Sequence, residues 1–128
     1  MSQDIVRVAT QHAPAAIGPY VQGKVVNGLL FASGQIPLVP ETGKMVEGGI
    51  EEQAEQALKN ASAIVNAAGS DLRKVIKTTC YLKDIKDFEA FNRVYEKFFD
   101  AEPPARSCVG GLQLPKGALC EVEVIALV

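Results

Sequence analysis

The chain has 128 residues, of which 48% are hydrophobic and 22% charged. That is the size and balance of one globular domain, here spanning 1–128, and lies outside the disordered, fibrous and membrane classes. A formal net charge of -2 and a pI near 5.4 offer no basic field to a phosphate backbone, which makes nucleic acid an unfavourable partner.

Met1-Ser2-Gln3-Asp4-Ile5 shows neither the basic nor the apolar region of a secretory signal. No apolar run reaches the roughly 20 residues that cross a bilayer, so a soluble, cytoplasmic protein without membrane contact is expected. Val25-Val26 and Leu29-Leu30-Phe31-Ala32 flank Asn27-Gly28, a dipeptide suited to a type I′ turn, and predict a β-hairpin. Ser33-Gly34-Gln35-Ile36-Pro37 leads into an exposed loop from Pro40 to Gly49, with Glu41-Thr42-Gly43-Lys44 as a turn. From Ile50 to Ala68, apolar residues at Ile50, Ala54, Ala57, Leu58, Ala61, Ile64, Val65 and Ala68 have helical spacing, and Gly69 supplies the stop.

Val75 to Leu82 is β-branched and aromatic and reads as a strand. A second helix follows, with Asp87 as N-cap and an aromatic stripe of Phe88, Phe91, Tyr95 and Phe98, joined by Val94, that belongs to the core. Pro103-Pro104 ends it. Strands over Arg106 to Leu112 and Leu119 to Leu127 flank a turn at Leu114-Pro115-Lys116-Gly117. The predicted order is β-β-α-β-α-β-β, an α+β arrangement with both helices on one face of a single sheet.

The last strand alternates informatively. Cys120, Val122, Val124 and Ala126 suit burial under helices, whereas Glu121, Glu123, Ile125 and Leu127 mix acid with apolar residues on the other side. Such a face is neither plain core nor plain solvent surface, and it predicts a subunit interface whose polar end borders a pocket.

Several familiar constellations are missing. The sole histidine, His12, has no Ser or Asp motif beside it, and Gly48-Gly49 and Gly110-Gly111 match neither a P-loop nor a dinucleotide fingerprint. Cys80, Cys108 and Cys120 are an odd set without CxxC spacing, which suggests reduced thiols and neither a disulfide framework nor a zinc site. Arg106, stiffened by the prolines before it, either grips a carboxylate with its planar fork or sits in a surface ion pair. Glu121 either orders and deprotonates a water or is a solvated strand residue. Cys108 shares a side of its strand with Arg106 and is either a structural cysteine or a nucleophile in want of a base.

Four ordered blocks carry a further signal: Ala13-Pro14-Ala15-Ala16-Ile17-Gly18-Pro19-Tyr20, Ser33-Gly34-Gln35-Ile36-Pro37, Pro104-Ala105-Arg106-Ser107-Cys108-Val109 and Glu121-Val122-Glu123. With Phe88 to Phe99 they resemble the RidA (YjgF) family over nearly the whole chain. The resemblance implies a chorismate-mutase-like fold and a homotrimer with a central sheet-lined barrel and sites in the clefts between subunits. It implies hydrolytic deamination of enamine and imine intermediates, such as 2-aminoacrylate and 2-aminocrotonate, which pyridoxal-phosphate-dependent dehydratases release. The products are 2-oxo acid and ammonia, and no cofactor or metal is required. By matching blocks, Arg106 binds the substrate carboxylate, the Cys108 amide assists it and Glu121 positions water. Tyr20, Ser33, Gly34, Gln35 and, from the second helix, Asn92 line the pocket. Gly110-Gly111-Leu112-Gln113 is lighter than the apolar stretch the family carries there, a departure that bears on pocket shape. Two rivals are an endoribonuclease or translation inhibitor, also known within the family, and a non-enzymatic oxo-acid-binding or chaperone-like protein.

Overall fold

A computed structural model describes residues 4–128, so Met1, Ser2 and Gln3 of the N-terminal segment lie outside the described residues. Its strands are β1 (Val6–Val8), β2 (Gly23–Val26), β3 (Leu29–Ala32), β4 (Val75–Leu82), β5 (Ala105–Val109) and β6 (Cys120–Leu127). The helices are α1 (Ile50–Ala67) and α2 (Phe88–Phe98). The strands form one sheet in the order β1-β2-β3-β6-β4-β5. β4 and β5 run parallel, joined through α2, and the other neighbours are antiparallel.

Local chemistry explains most boundaries. Asn27 and Gly28 take φ of 56° and 73°, the paired positive angles of a type I′ turn. Gly49 opens α1, its N–H donating to Glu52 Oε1 at 2.8 Å. At the other end Gly69 has φ of 85°, Ser70 N–H donates to Val65 O at 3.1 Å and Gly69 N–H to Asn66 O at 3.0 Å. That pair of bonds is the Schellman closure that the sequence glycine signalled. The start of α2 differs from expectation. Asp87 makes no side-chain capping bond, whereas Asp84 accepts from Lys86 N–H at 2.9 Å and caps a short 3₁₀ turn over Ile85–Asp87. The turn moves the unpaired amides upstream, beyond the reach of Asp87.

The helices cover one face of the sheet. Leu30 and Ala32, Thr78, Cys80 and Leu82, and Cys120, Val122, Val124 and Ala126 are all buried beneath them. Four alanine and leucine positions of α1, Ala54, Ala57, Leu58 and Ala61, meet that face. The opposite face carries Glu121, Glu123 and Ile125, as the alternation of the last strand predicts. Phe31 (44% exposed) and Leu127 (51% exposed) belong to it. Register places Arg7, Lys24, Phe31, Ile125, Lys77 and Ala105 in one row across the whole sheet on this uncovered side.

Two differences from the expected order have plain causes. β1 is three residues long with an exposed first pair, too short for periodicity to reveal. β5 stops at Val109 rather than Leu112, because Gly111 adopts φ of 76° and turns the chain away.

Buried amides pin the loops to this frame. Asn60, 1% exposed, donates from Nδ2 to Ile36 O (3.1 Å) and Leu38 O (2.9 Å) and accepts from Gln56 Nε2 (2.9 Å). Replacing it with Ala strands two buried carbonyls, each worth about 1–3 kcal/mol when unsatisfied. Guanidinium denaturation of Asn60→Ala is expected to show a loss of about 2–4 kcal/mol, against less than about 0.5 kcal/mol for the exposed neighbour Lys59→Ala. A loss below about 1 kcal/mol for Asn60→Ala would contradict the pinning role.

Candidate functional site

Arg106 lies in β5 on the helix-facing side, opposite Thr78 of β4. Its Cζ stands 4.6 Å from the Tyr95 ring centroid and 5.4 Å from that of Phe88. Nη1 donates to Asn92 Oδ1 at 2.8 Å. Tyr95 is itself fixed by a 2.7 Å hydrogen bond between its hydroxyl and that of buried Thr78. Three residues of α2 thus hold the guanidinium through cation–π contacts and one hydrogen bond, interactions of about 0.5–2 kcal/mol each. Neither ion pair found among the described residues, Arg73–Asp71 or Arg93–Glu51, includes Arg106. The surface ion pair considered from sequence is therefore not what this arginine makes. An open groove of about 680 Å³ is lined by Arg106, Cys108, Ile85, Lys86, Phe88 and Glu89.

Cys108 shares the Arg106 side and stands opposite Cys80. Burial pushes its thiol up from the usual value, only partly opposed by the Arg106 charge. Cys80 and Cys120 are pushed up to about 12 by burial. The sole histidine, His12, is exposed and borders a different groove with Lys59 and Phe98. A Cys108 thiol that is harder to ionise and has no histidine beside it is a poor nucleophile.

Glu121 occupies the other face of the sheet, opposite Tyr81. Burial first, and the Glu123 charge second, raise its carboxyl above the usual carboxylate range. Glu123 accepts from the Tyr81 hydroxyl at 2.7 Å and so holds that phenol up at about 12. Beside Glu121 the chain makes a bulge. Phe31 pairs with Ile125 and Gln35 with Val122, which leaves three residues on one strand facing two on the other. Gly34 lies in this bulge, where an added Cβ would overlap the Glu121 carboxylate and come within 2.9 Å of its Cδ. A larger residue at this position would push the Glu121 carboxylate out of its present place.

The other sequence candidates divide. Tyr20, 51% exposed, lines a cavity of about 290 Å³ with Gly34, Gln35, Pro115 and Lys116. Ser33 and Gln35 have inward partners: Ser33 Oγ donates to Val21 O at 2.6 Å, and buried Gln35 donates from Nε2 to Ser33 O (3.2 Å) and Gly34 O (3.3 Å). Both side chains shape the bulge. Gln22 was missed from sequence. It is buried and donates to Thr10, Ala13 and Pro14 carbonyls while accepting from Thr10 N–H, which straps the Tyr20 segment to the sheet. The aromatic platform under Arg106 was missed as well, although Phe88 and Tyr95, two turns apart on one helix face, carry the signal for it.

The candidates therefore fall into two groups within one chain. Arg106, Cys108 and Asn92 gather on the helix-covered side at the sheet edge, and Glu121, Gly34 and Tyr20 gather at the other group, with Glu121 on the uncovered face. Among the described residues no group of three His, Cys, Asp or Glu side chains is placed to hold a metal, and no helix is long and apolar enough to cross a membrane.

Residues 10–128 match the family model described as endoribonuclease L-PSP. A Lactococcus lactis protein provisionally named regulator AldR is 64% identical over 93% of this chain and 94% of its own. The Salmonella typhimurium 2-iminobutanoate/2-iminopropanoate deaminase is 48% identical over 94% of this chain and 95% of its own. Among solved structures, Escherichia coli TdcF with bound serine superposes with a TM-score of 0.92 at 44% identity, covering 96% of this chain and 98% of that one. The fold, with its single mixed sheet and helices on one face, is that of these structures. By model, identity and coverage, the chain belongs to the endoribonuclease L-PSP family, the RidA (YjgF) family that its four sequence blocks resemble.

Proposed function

We propose that the chain hydrolyses reactive 2-imino acids and their enamine tautomers to 2-oxo acids and ammonia, at sites shared between copies of the chain in the cytoplasm. Arg106 carries this reading. A guanidinium stacked on two rings, tied by one N–H to Asn92 and free of any carboxylate ion pair, is a fork prepared for a carboxylate ligand. Relatives at 45–48% identity bear the name 2-iminobutanoate/2-iminopropanoate deaminase, and both named substrates are carboxylates beside an electrophilic C=N carbon.

The chemistry asks little of the protein. Arg106 holds the carboxylate, and the Cys108 backbone amide adds a second donor to it. Glu121 orients a water and takes its proton as the oxygen bonds to the imine carbon. The resulting carbinolamine nitrogen is protonated and leaves as ammonia while the C=O forms. An iminium ion reacts with water unaided, so positioning and one acid-base group, each worth several powers of ten, suffice without a cofactor. Because Arg106 and Glu121 lie on opposite faces within one chain, a site that uses both takes Arg106 from one copy and Glu121 from the next. A closed ring of three copies is the arrangement we propose, with the uncovered faces of the sheets turned inward.

The family description favours a second reading, an endoribonuclease. A net charge of -2 opposes it, and RNA affinity that falls steeply with salt would be its mark.

Turnover is measured by generating imine in place with a serine or threonine dehydratase and following oxo acid release with and without this protein. Acceleration is expected for the wild type. Arg106→Lys keeps the charge but loses the fork, so KM rises strongly and kcat falls. Glu121→Gln depresses kcat while affinity for the product oxo acid stays near wild type. Cys108→Ala retains most activity, since the amide survives. A loss of several orders of magnitude in Cys108→Ala with Glu121→Gln near wild type would replace water attack by covalent catalysis.

The acid limb of the pH profile is a separate test. Glu121 works as the carboxylate, so activity is lost as pH falls through its raised pKa, above the range of an ordinary glutamate. Glu123→Gln removes one of the causes of that rise and is expected to move the limb to lower pH. An unmoved limb would mean that Glu121 is not the titrating group.

A further inference from the structure

Ile85 stands 54% exposed beside the groove onto which Arg106 and Cys108 open. A single exposed isoleucine is ordinary, but this one is held in place by its surroundings. Asp84 caps the turn that Ile85 begins. Gly110, directly after β5, lies so close that an added Cβ would fall 2.7 Å from Ile85 Cβ, 2.9 Å from Cδ1 and 3.0 Å from Cα. Cδ1 is a side-chain tip that can rotate away, but Cβ and Cα are fixed to the backbone and cannot swing aside. The missing side chain at Gly110 therefore sets the width between the turn and the end of β5.

Ile85 and Phe88 give the groove an apolar wall next to the guanidinium, with half-buried Cys108 beside it, while Lys86 and Glu89 of the lining are exposed. A cation and an aliphatic surface side by side match a ligand with a carboxylate at one end and a hydrocarbon side chain beside it. We infer that Ile85, positioned by Gly110, forms the side-chain subsite of the imine site and that the chain favours 2-imino acids with branched aliphatic side chains over 2-iminopropanoate. This inference rests on the proposed role of Arg106 in binding the imine carboxylate. Gly110 and Ile85 are its specificity residues, and neither touches the reacting atoms.

The test compares kcat/KM for two imines made in place by an L-amino-acid oxidase with catalase present, one from leucine and one from alanine. Wild type is expected to favour the leucine imine. Ile85→Ala is expected to lower the leucine-to-alanine ratio of kcat/KM about tenfold, the lower end of what lost methylene contacts are worth in an apolar site. Ile85→Val should fall between, and it keeps the test alive should the alanine variant fold poorly. Gly110→Ala, which displaces Ile85, should move the same ratio without altering any group that touches the carboxylate. A ratio unchanged in all three variants, or equal losses on both imines, overturns the subsite and leaves the deaminase reading standing. No acceleration of either imine by the wild type overturns the deaminase reading and the subsite with it.

Discussion

A sheet covered by helices on one face alone dictates where each polar group of this chain can work. β6 lies between β3 and β4, and its residues alternate between buried Cys120, Val122, Val124 and Ala126 and half-buried Glu121, Glu123 and Ile125. Since side chains change face at every residue, the same alternation carried across to β5 puts Arg106 with the helices and Ser107 against the open side. The cation and the acid that a deaminase site would combine are thus separated by the sheet itself. Among the described residues β5 is an edge with no strand beyond it, and the uncovered face adds Phe31, Val109 and Leu127, all more than 40% exposed. An open edge beside exposed apolar side chains is a surface a partner can cover, and in the proposed mechanism a second copy would also complete the site.

Each half is preorganised by interactions that do little else. Arg106 owes its position to Tyr95, Phe88 and Asn92, and Tyr95 owes its own to Thr78 in the core. Glu121 is partly desolvated and lies against Gly34 in the bulge, which Ser33 and Gln35 hold from within. Behind that bulge, Asn60 and Gln22 satisfy carbonyls of the loops on either side. Buried amides of this kind replace strand and helix partners that irregular backbone lacks, and rigid loops result. Fixed geometry of this sort is what a reaction needs when its acceleration comes from placing water and carbon together.

Long periodic elements were legible from sequence. α1, β4, β6 and the Asn27-Gly28 hairpin each repeat a pattern or carry a turn signal strong enough to stand alone, and the two-sided character of β6 is visible in Glu121 and Glu123. Short or context-made features were not. β1 has three residues and gains its place only by pairing with β2. The Asp87 cap was displaced by a 3₁₀ turn, which depends on the packing of α2 rather than on composition. The hydrogen bonds of Ser33 and Gln35 to backbone carbonyls of Val21 and of the bulge were not foreseen, although Gln35 also lines the cavity with Tyr20 and Gly34. Spacing along β5 correctly set Cys108 beside Arg106, but it could not tell which face they would share, since that follows from the parallel pairing with β4.

Division of one site between two copies is the central claim, and mixing variants tests it most directly. Arg106→Ala chains and Glu121→Gln chains, each nearly inactive alone, are unfolded together and refolded so that copies assort at random. If each site draws Arg106 from one copy and Glu121 from its neighbour, one site in every mixed ring of three recovers both groups, about a quarter of all sites after random assortment, and activity returns to roughly that share of wild type. Mixtures no more active than the separate variants, although mass measurement shows that mixed assemblies have formed, would contradict the account.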